Sequence, residues 1–176
     1  MPSESDPVRE LAALLREAGA SARVRPERIA KSTLYDLDYH VALIACVFFI
    51  TANNEAASTR RVVAHWMKIL QFVAVRPSLL PDFQNWAGTR RHQDLDTWQK
   101  MPRGYLGDTT HDRTVELLVA GGVLIREDDA LVAGSSFAVL KKIYEDLVGR
   151  DLLRSERTTL TELAQTRVNK TLLKGS

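Results

Sequence analysis

The sequence predicts a mainly α-helical protein whose helical N-terminal part, containing a long antiparallel helix pair, precedes a winged-helix-like module with one small β-hairpin. Two observations support this fold class. Apolar residues recur at helical spacing along most of the chain. In RTVELLVAGGVLIREDDALVAGSSF, residues 113–137, a helical run stops at two glycines, two short apolar segments flank an acidic turn, and Ser-Ser opens another helix. We therefore predict a helical region over residues 1–105, with an irregular basic segment, and a winged-helix-like module over residues 106–176.

Composition places the chain among ordinary soluble globular proteins. Its 176 residues are 45% hydrophobic and 26% charged, with a formal net charge of +2, so it can bury a core and does not require nucleic acid as a partner. The single cysteine excludes an intrachain disulfide and favours a reducing compartment. The longest apolar run, Val41–Ile50, is about half of a membrane span, and the N-terminus lacks a signal-peptide pattern. We expect a cytoplasmic protein with no membrane partner.

An amphipathic helix is predicted near the N-terminus, within SDPVRELAALLREAG. Asp6 is a suitable N-cap, Pro7 fits the first helical position, and Gly19 ends the helix. Its apolar stripe has two open interpretations, packing on the chain's own core or docking on a partner. The stripe consists of Val8, Leu11, Leu14 and Leu15.

Two longer helices are predicted next. The first runs from about Leu34 to Thr51, and its second half is apolar on every side, which indicates burial all round. The second is predicted over TRRVVAHWMKILQFVAV, with a cap at Ser58 or Thr59 and an end before Pro77. The short link between them predicts an antiparallel helix pair.

The C-terminal module follows an irregular segment of short helices and loops. A helix capped by Thr109 or Thr110 is predicted to end at the two glycines of residues 121–122. VLIRE and ALVAG are rich in strand formers and flank the link Asp128–Asp129, which predicts a hairpin with a solvated acidic tip. Two more helices are predicted, within SFAVLKKIYEDLVG and after a cap at Ser155.

Signatures of catalysis are missing from the sequence. It contains no G-x-x-x-x-G-K-[S/T] loop, no G-x-G-x-x-G, no H-E-x-x-H and no G-x-S-x-G. The best candidate metal cluster is His92, Asp94 and Asp96, but hard cations usually need more oxygen ligands, which favours a polar loop. Cys46 lies among apolar residues and is expected in the core. We therefore expect a protein without enzymatic activity and without a cofactor. A metal-dependent hydrolase or nuclease that uses Asp94 and Asp96 is a less favoured hypothesis.

Basic residues concentrate between Ser58 and Arg91. Six cations and one acid give this segment a charge of +5, in a chain whose total is +2. We expect part of the set, with His65, to line the outer side of the third helix, where phosphate or an acidic protein surface can bind. A solvated helix face is the alternative interpretation. The candidate contacts are Arg60, Arg61, Lys68, Arg90 and Arg91.

The predicted helix before the hairpin has a different charge pattern. Arg113 is its only formal cation and stands beside Asp112 and Glu116, while the hairpin tip carries three acids. Winged-helix proteins usually read DNA with this helix. Because phosphates repel acidic side chains, the pattern favours protein docking over major-groove reading.

The helical half followed by RTVELLVAGGVLIREDDALVAGSSFAVLKKIYEDL resembles the middle component of bacterial ABC three-component systems, which include Lamassu-type anti-phage defence. The resemblance covers the overall layout and includes no catalytic motif. It implies a non-catalytic adaptor that links an SMC/Rad50-like ATPase and a nuclease-type effector in a DNA-sensing complex directed against phages or plasmids. Any DNA contact would be non-specific and made through that complex. The alternative is a winged-helix transcription regulator that binds DNA as a homodimer.

Overall fold

The computed structural model describes residues 37–51, 60–88 and 109–165, together with Ala13, which is helical. Within these ranges the protein is mainly helical and carries a small three-stranded antiparallel sheet, which confirms the predicted fold class at this level. The elements in chain order are α1 (Leu37–Thr51), β1 (Arg61–Val63), α2 (Ala64–Ala74), a 3-10 helix (Pro77–Leu79), α3 (Leu80–Gly88), α4 (Thr109–Ala120), β2 (Leu124–Glu127), β3 (Ala130–Ala133), α5 (Ala138–Gly149) and α6 (Arg154–Gln165).

The sheet differs from the predicted hairpin by one strand. Its order is β1-β3-β2, and β1 pairs antiparallel with β3, with Val62 opposite Leu131. The prediction that residues 60–63 belong to the third helix is therefore wrong. Val62 and Val63 are β-branched, which favours a strand, and both are buried where β1 pairs with the edge of β3. Helix α2 begins only at Ala64, whose N–H donates to the carbonyl of Asp129 at 2.8 Å.

Helix α1 lies at the centre of the described core. It contacts α2, α4, α5 and α6, and every residue from Leu43 to Phe48 is fully buried. The predicted burial on all sides is thus confirmed. Phe137, which precedes α5, packs edge-on against Phe48 at 5.4 Å and stacks on Phe49 at 5.6 Å between ring centroids. Since α1 packs against four helices, α2 is one neighbour among several.

Side chains from both sides of the predicted 105/106 boundary share this core. Met67 and Phe72 of α2 belong to the same hydrophobic cluster as Leu118 of α4 and Leu140 of α5. Strand β1 also joins the two parts, because its partner β3 lies beyond the boundary. The described residues of the two predicted regions therefore pack together.

The junction between α4 and the hairpin depends on Gly122 and Gly134. Helix α4 ends at Ala120, before the glycine pair that the sequence predicts to stop it. Gly122 has φ +66°, and its carbonyl accepts a hydrogen bond from the N–H of Ser136 at 2.9 Å. A Cβ at Gly134 would collide with the carbonyl of Gly122. This close backbone approach fixes the start of β2 beside the end of β3.

Candidate partner-binding surface

The described ranges contain three of the nine candidate contact residues: Arg60, Arg61 and Lys68. Arg90, Arg91 and the apolar stripe of Val8, Leu11, Leu14 and Leu15 lie outside the described residues, as do His92, Asp94 and Asp96. The expected placement on the outer side of one helix is wrong for Arg60 and Arg61, because both precede α2. The three described cations have three different environments.

Arg61 is held by the acidic tip of the hairpin. It lies on β1 opposite Val132 of β3. Its Nη1 is 3.3 Å from Oε2 of Glu127, and its Nη2 is 3.7 Å from Oδ1 of Asp129. These acids are exposed, as the sequence predicts for a hairpin tip. Because the tip neutralises Arg61 within the chain, this guanidinium is a poor candidate for phosphate binding.

Lys68 forms an ion pair between α2 and α4. Its Nζ is 2.8 Å from Oδ1 and 2.9 Å from Oδ2 of Asp112. The Lys68 side chain is only 11% exposed, whereas that of Asp112 is 57% exposed. The expected solvent-facing position of Lys68 is therefore wrong, because its side chain is largely covered and its ammonium group pairs with a carboxylate.

The outward side of α4 carries two acids and one arginine. Asp112, Arg113 and Glu116 are exposed, and Glu116 accepts a hydrogen bond from Arg126 of β2 at 2.6 Å. Because Lys68 pairs with Asp112 and Arg126 pairs with Glu116, three cations face two acids on the described part of this surface, and the surplus is the single charge of Arg113. Phosphate contacts contribute much of the affinity of proteins for DNA, and a surplus of one cation offers few of them.

Arg60 lies over an aromatic ring instead of beside a carboxylate. Its Cζ is 4.2 Å from the ring centroid of Phe49, which is a cation–π distance. Its Nε and Nη1 are buried and have no hydrogen-bond acceptor within the described part of the chain. Burial lowers the pKa of Arg60, but a guanidinium stays charged at neutral pH. Of the three candidate contacts in the described ranges, Arg60 is the one with buried donors that have no acceptor.

A buried polar cluster joins α1, α2 and α4. The Oε1 of Gln71 lies 3.4 Å from Nδ1 of His40 and 3.2 Å from Nδ1 of His111. The two imidazole centroids are 6.0 Å apart. None of the three side chains is more than 3% exposed, so a substrate cannot reach them in this conformation. This cluster could not be predicted from the sequence, because its members lie on three helices and only tertiary packing brings them together.

Other reactive groups are also buried or dispersed. Burial raises the pKa of the Cys46 thiol to about 12, and its side chain is fully buried, which confirms the predicted core position. Among the described residues, no group of three or more His, Cys, Asp or Glu side chains is arranged to hold a metal ion. No helix in the described ranges is long and apolar enough to cross a membrane.

Comparison with protein-family models, with curated proteins and with solved structures finds no match to this chain.

Proposed function

We propose that this protein is a non-catalytic accessory subunit that links an SMC-like ATPase and an effector in a DNA-sensing defence complex against phages or plasmids. The observation that carries the proposal is that two of the described candidate cations form ion pairs within the chain. Arg61 pairs with the hairpin tip and Lys68 pairs with Asp112. Charges used in this way serve the fold of the chain, which supports docking on protein more than binding of nucleic acid.

The competing function is DNA binding by a winged-helix regulator. The order α4, β2, β3, α5 gives this alternative its support, since a helix, a hairpin and a further helix are the parts of such a module. It requires a cationic reading helix. The exposed charges of α4 are two acids and one arginine, and the hairpin tip carries Glu127, Asp128 and Asp129. This electrostatic pattern favours the adaptor proposal.

Affinity purification from cells that carry the complete native locus tests the adaptor proposal. The tagged chain is recovered at moderate salt, treated with nuclease and examined by mass spectrometry. We expect a large ATPase to be recovered with the chain at stoichiometric level and to stay bound after nuclease treatment. Recovery of the chain alone, or only with DNA that a salt wash removes, would contradict the adaptor proposal and favour the DNA-binding regulator.

Paired variants locate the docking surface in the same experiment. Leu11→Asp and Leu14→Asp place charge in the apolar stripe, while Glu10→Gln and Glu17→Gln alter the opposite face of the predicted helix. If the stripe docks on the ATPase, the first pair loses it and the second pair keeps it. A lower melting temperature of the isolated Leu variants would instead indicate that the stripe packs on the chain's own core.

A further inference from the structure

The turn between α5 and α6 closes α5 with a pattern that glycine usually completes. The N–H of Leu152 donates to the carbonyl of Leu147 at 2.8 Å. The N–H of Asp151 donates to the carbonyl of Val148 at 3.1 Å. These two bonds form a Schellman motif, in which the residue at the place of Asp151 has a positive φ and is most often glycine. Asp151 has φ +53°, and the glycine of this region, Gly149, is instead the last residue of α5.

Nothing in the described part of the chain requires a glycine at position 149. Its φ lies outside the left-handed region, and a Cβ built on Gly149 would have no atom within 4 Å. Alanine is a better helix former than glycine, so this residue weakens α5. What the missing side chain provides is an open place on the surface, where another backbone can approach closely.

Two large apolar side chains flank this open place. Val148 precedes Gly149 and is 44% exposed, and Leu152 is 46% exposed. Among the described residues, only Ile125 of β2 is a large apolar side chain with similar exposure. The residue at the place of Leu152 in a Schellman motif commonly packs against the preceding turn of the helix. Its exposure here leaves apolar surface in water at the end of α5.

Leu152 is held in its exposed position by hydrogen bonds from α6. Arg157 donates through Nε to the carbonyl of Leu152 at 2.9 Å and through Nη2 to Oδ1 of Asp151 at 2.8 Å. The next residue, Leu153, has φ +50°, a left-handed conformation that a leucine rarely adopts. Backbone strain that neighbouring groups hold in place is concentrated at functional positions. The turn therefore presents Leu152 in one fixed position.

We propose that two copies of this chain associate through Val148, Gly149 and Leu152, which we name the α5-end patch. A two-fold contact brings the same patch of both copies together, so the patch must complement itself. Its centre is apolar and open, and its rim carries equal numbers of both charges, so that each cation can face an acid of the other copy. The rim consists of Asp146, Asp151, Arg150 and Arg154.

The balanced rim favours a second copy over other partners. A rim of zero net charge offers no electrostatic attraction to a nucleic acid or to a strongly charged protein. The patch is small beside a standard interface, which buries about 1,600 Å². We therefore expect a weak dimer with a Kd of about 10–100 µM. This dimer does not depend on the adaptor function.

Sedimentation velocity of the purified full chain, over roughly 1–500 µM, measures the association. We expect monomer at the low end of this range and dimer at the high end. Leu152→Asp should stay monomeric throughout, because association would bury a charge without a partner. Ile125→Asp is the matched control, since Ile125 is 47% exposed but lies on β2. This control should dimerise like the unmodified chain.

Gly149→Ala separates association from folding. The added methyl group should raise the melting temperature of the monomer by about 1–3 °C, because alanine favours the helix. The same methyl group should keep the two backbones apart and weaken the dimer about tenfold or more. A more stable monomer with unchanged dimer affinity would show that the copies do not meet at Gly149 and would overturn the proposal.

Disulfide trapping tests the two-fold arrangement, because a residue near the axis lies close to its own copy. Val148→Cys, oxidised with copper phenanthroline, should give a covalent dimer, while Ile125→Cys should not. The native Cys46 is fully buried and does not contribute. A chain that is monomeric at every concentration, equal effects of Leu152→Asp and Ile125→Asp, or trapping at Ile125 alone would each overturn the proposal. These assays use the chain by itself, so the dimer and the adaptor function can fail independently.

Discussion

Truncating Leu131 to alanine should destabilise the protein strongly, because this side chain connects the sheet to the helices. Leu131 lies on β3, the central strand, and is fully buried. Leucine exceeds alanine by three carbon groups, which at about 0.8 kcal/mol each lose about 2–3 kcal/mol of transfer free energy. The cavity left behind raises the expected loss in free energy of unfolding to about 3–4 kcal/mol. For a chain of this size, the melting temperature should fall by roughly 6–15 °C.

Urea unfolding followed by circular dichroism measures this loss, and Val132→Ala is the matched control. Val132 is the next residue on β3 and is only partly buried. Alternation of side chains along a strand places it on the other face, so its truncation should cost about 1 kcal/mol or less. Similar losses for Leu131→Ala and Val132→Ala would refute the assignment of the two faces. A loss below about 1 kcal/mol for Leu131→Ala would refute its burial against the helices.

Three further predictions concern the buried thiol of Cys46, the ion pair between α2 and α4, and the glycine contact at the hairpin. Burial raises the pKa of Cys46 to about 12, so between about pH 8.5 and that value only the unfolded chain loses the thiol proton. The free energy of unfolding should therefore fall by about 1.4 kcal/mol per pH unit above about pH 8.5. Urea unfolding at several alkaline pH values should show this slope, and Cys46→Ala should lack it. A double-mutant cycle of Lys68→Met and Asp112→Asn should give a coupling of about 0.5 kcal/mol, since one partner is exposed; a coupling of zero would contradict the ion pair. Gly134→Ala should cost about 2 kcal/mol or more in urea unfolding, because its Cβ would collide with the carbonyl of Gly122; an unchanged unfolding midpoint would contradict the close approach.

Periodicity predicted the helices and the hairpin because burial on one face leaves a pattern in the sequence. The all-apolar second half of α1 indicated burial on every side, and α1 is indeed surrounded by helices. The glycine pair likewise predicted the end of α4. Strand β1 could not be predicted in the same way. It is three residues long and directly precedes a helix, and its state is decided by the free edge of β3.

The candidate site was less predictable because its properties depend on tertiary neighbours. Arg60 and Arg61 are identical in type and adjacent in sequence, yet one lies over Phe49 and the other binds the hairpin tip. No local pattern distinguishes them. The cluster around Gln71 shows the same limit, since its two histidines lie 31 and 40 residues away along the chain.

The central claim is our proposal that this protein docks on protein and not on DNA, with Arg61 and Lys68 engaged in its own fold. The affinity of the isolated chain for duplex DNA tests this claim most directly. Fluorescence anisotropy with a labelled duplex, repeated at low and physiological salt, measures both affinity and its salt dependence. We predict a Kd no tighter than about 10⁻⁴ M at physiological salt, the weak limit of non-specific binding, with a shallow salt dependence. A Kd below about 10⁻⁶ M that weakens steeply with salt would contradict the account and support the DNA-binding regulator.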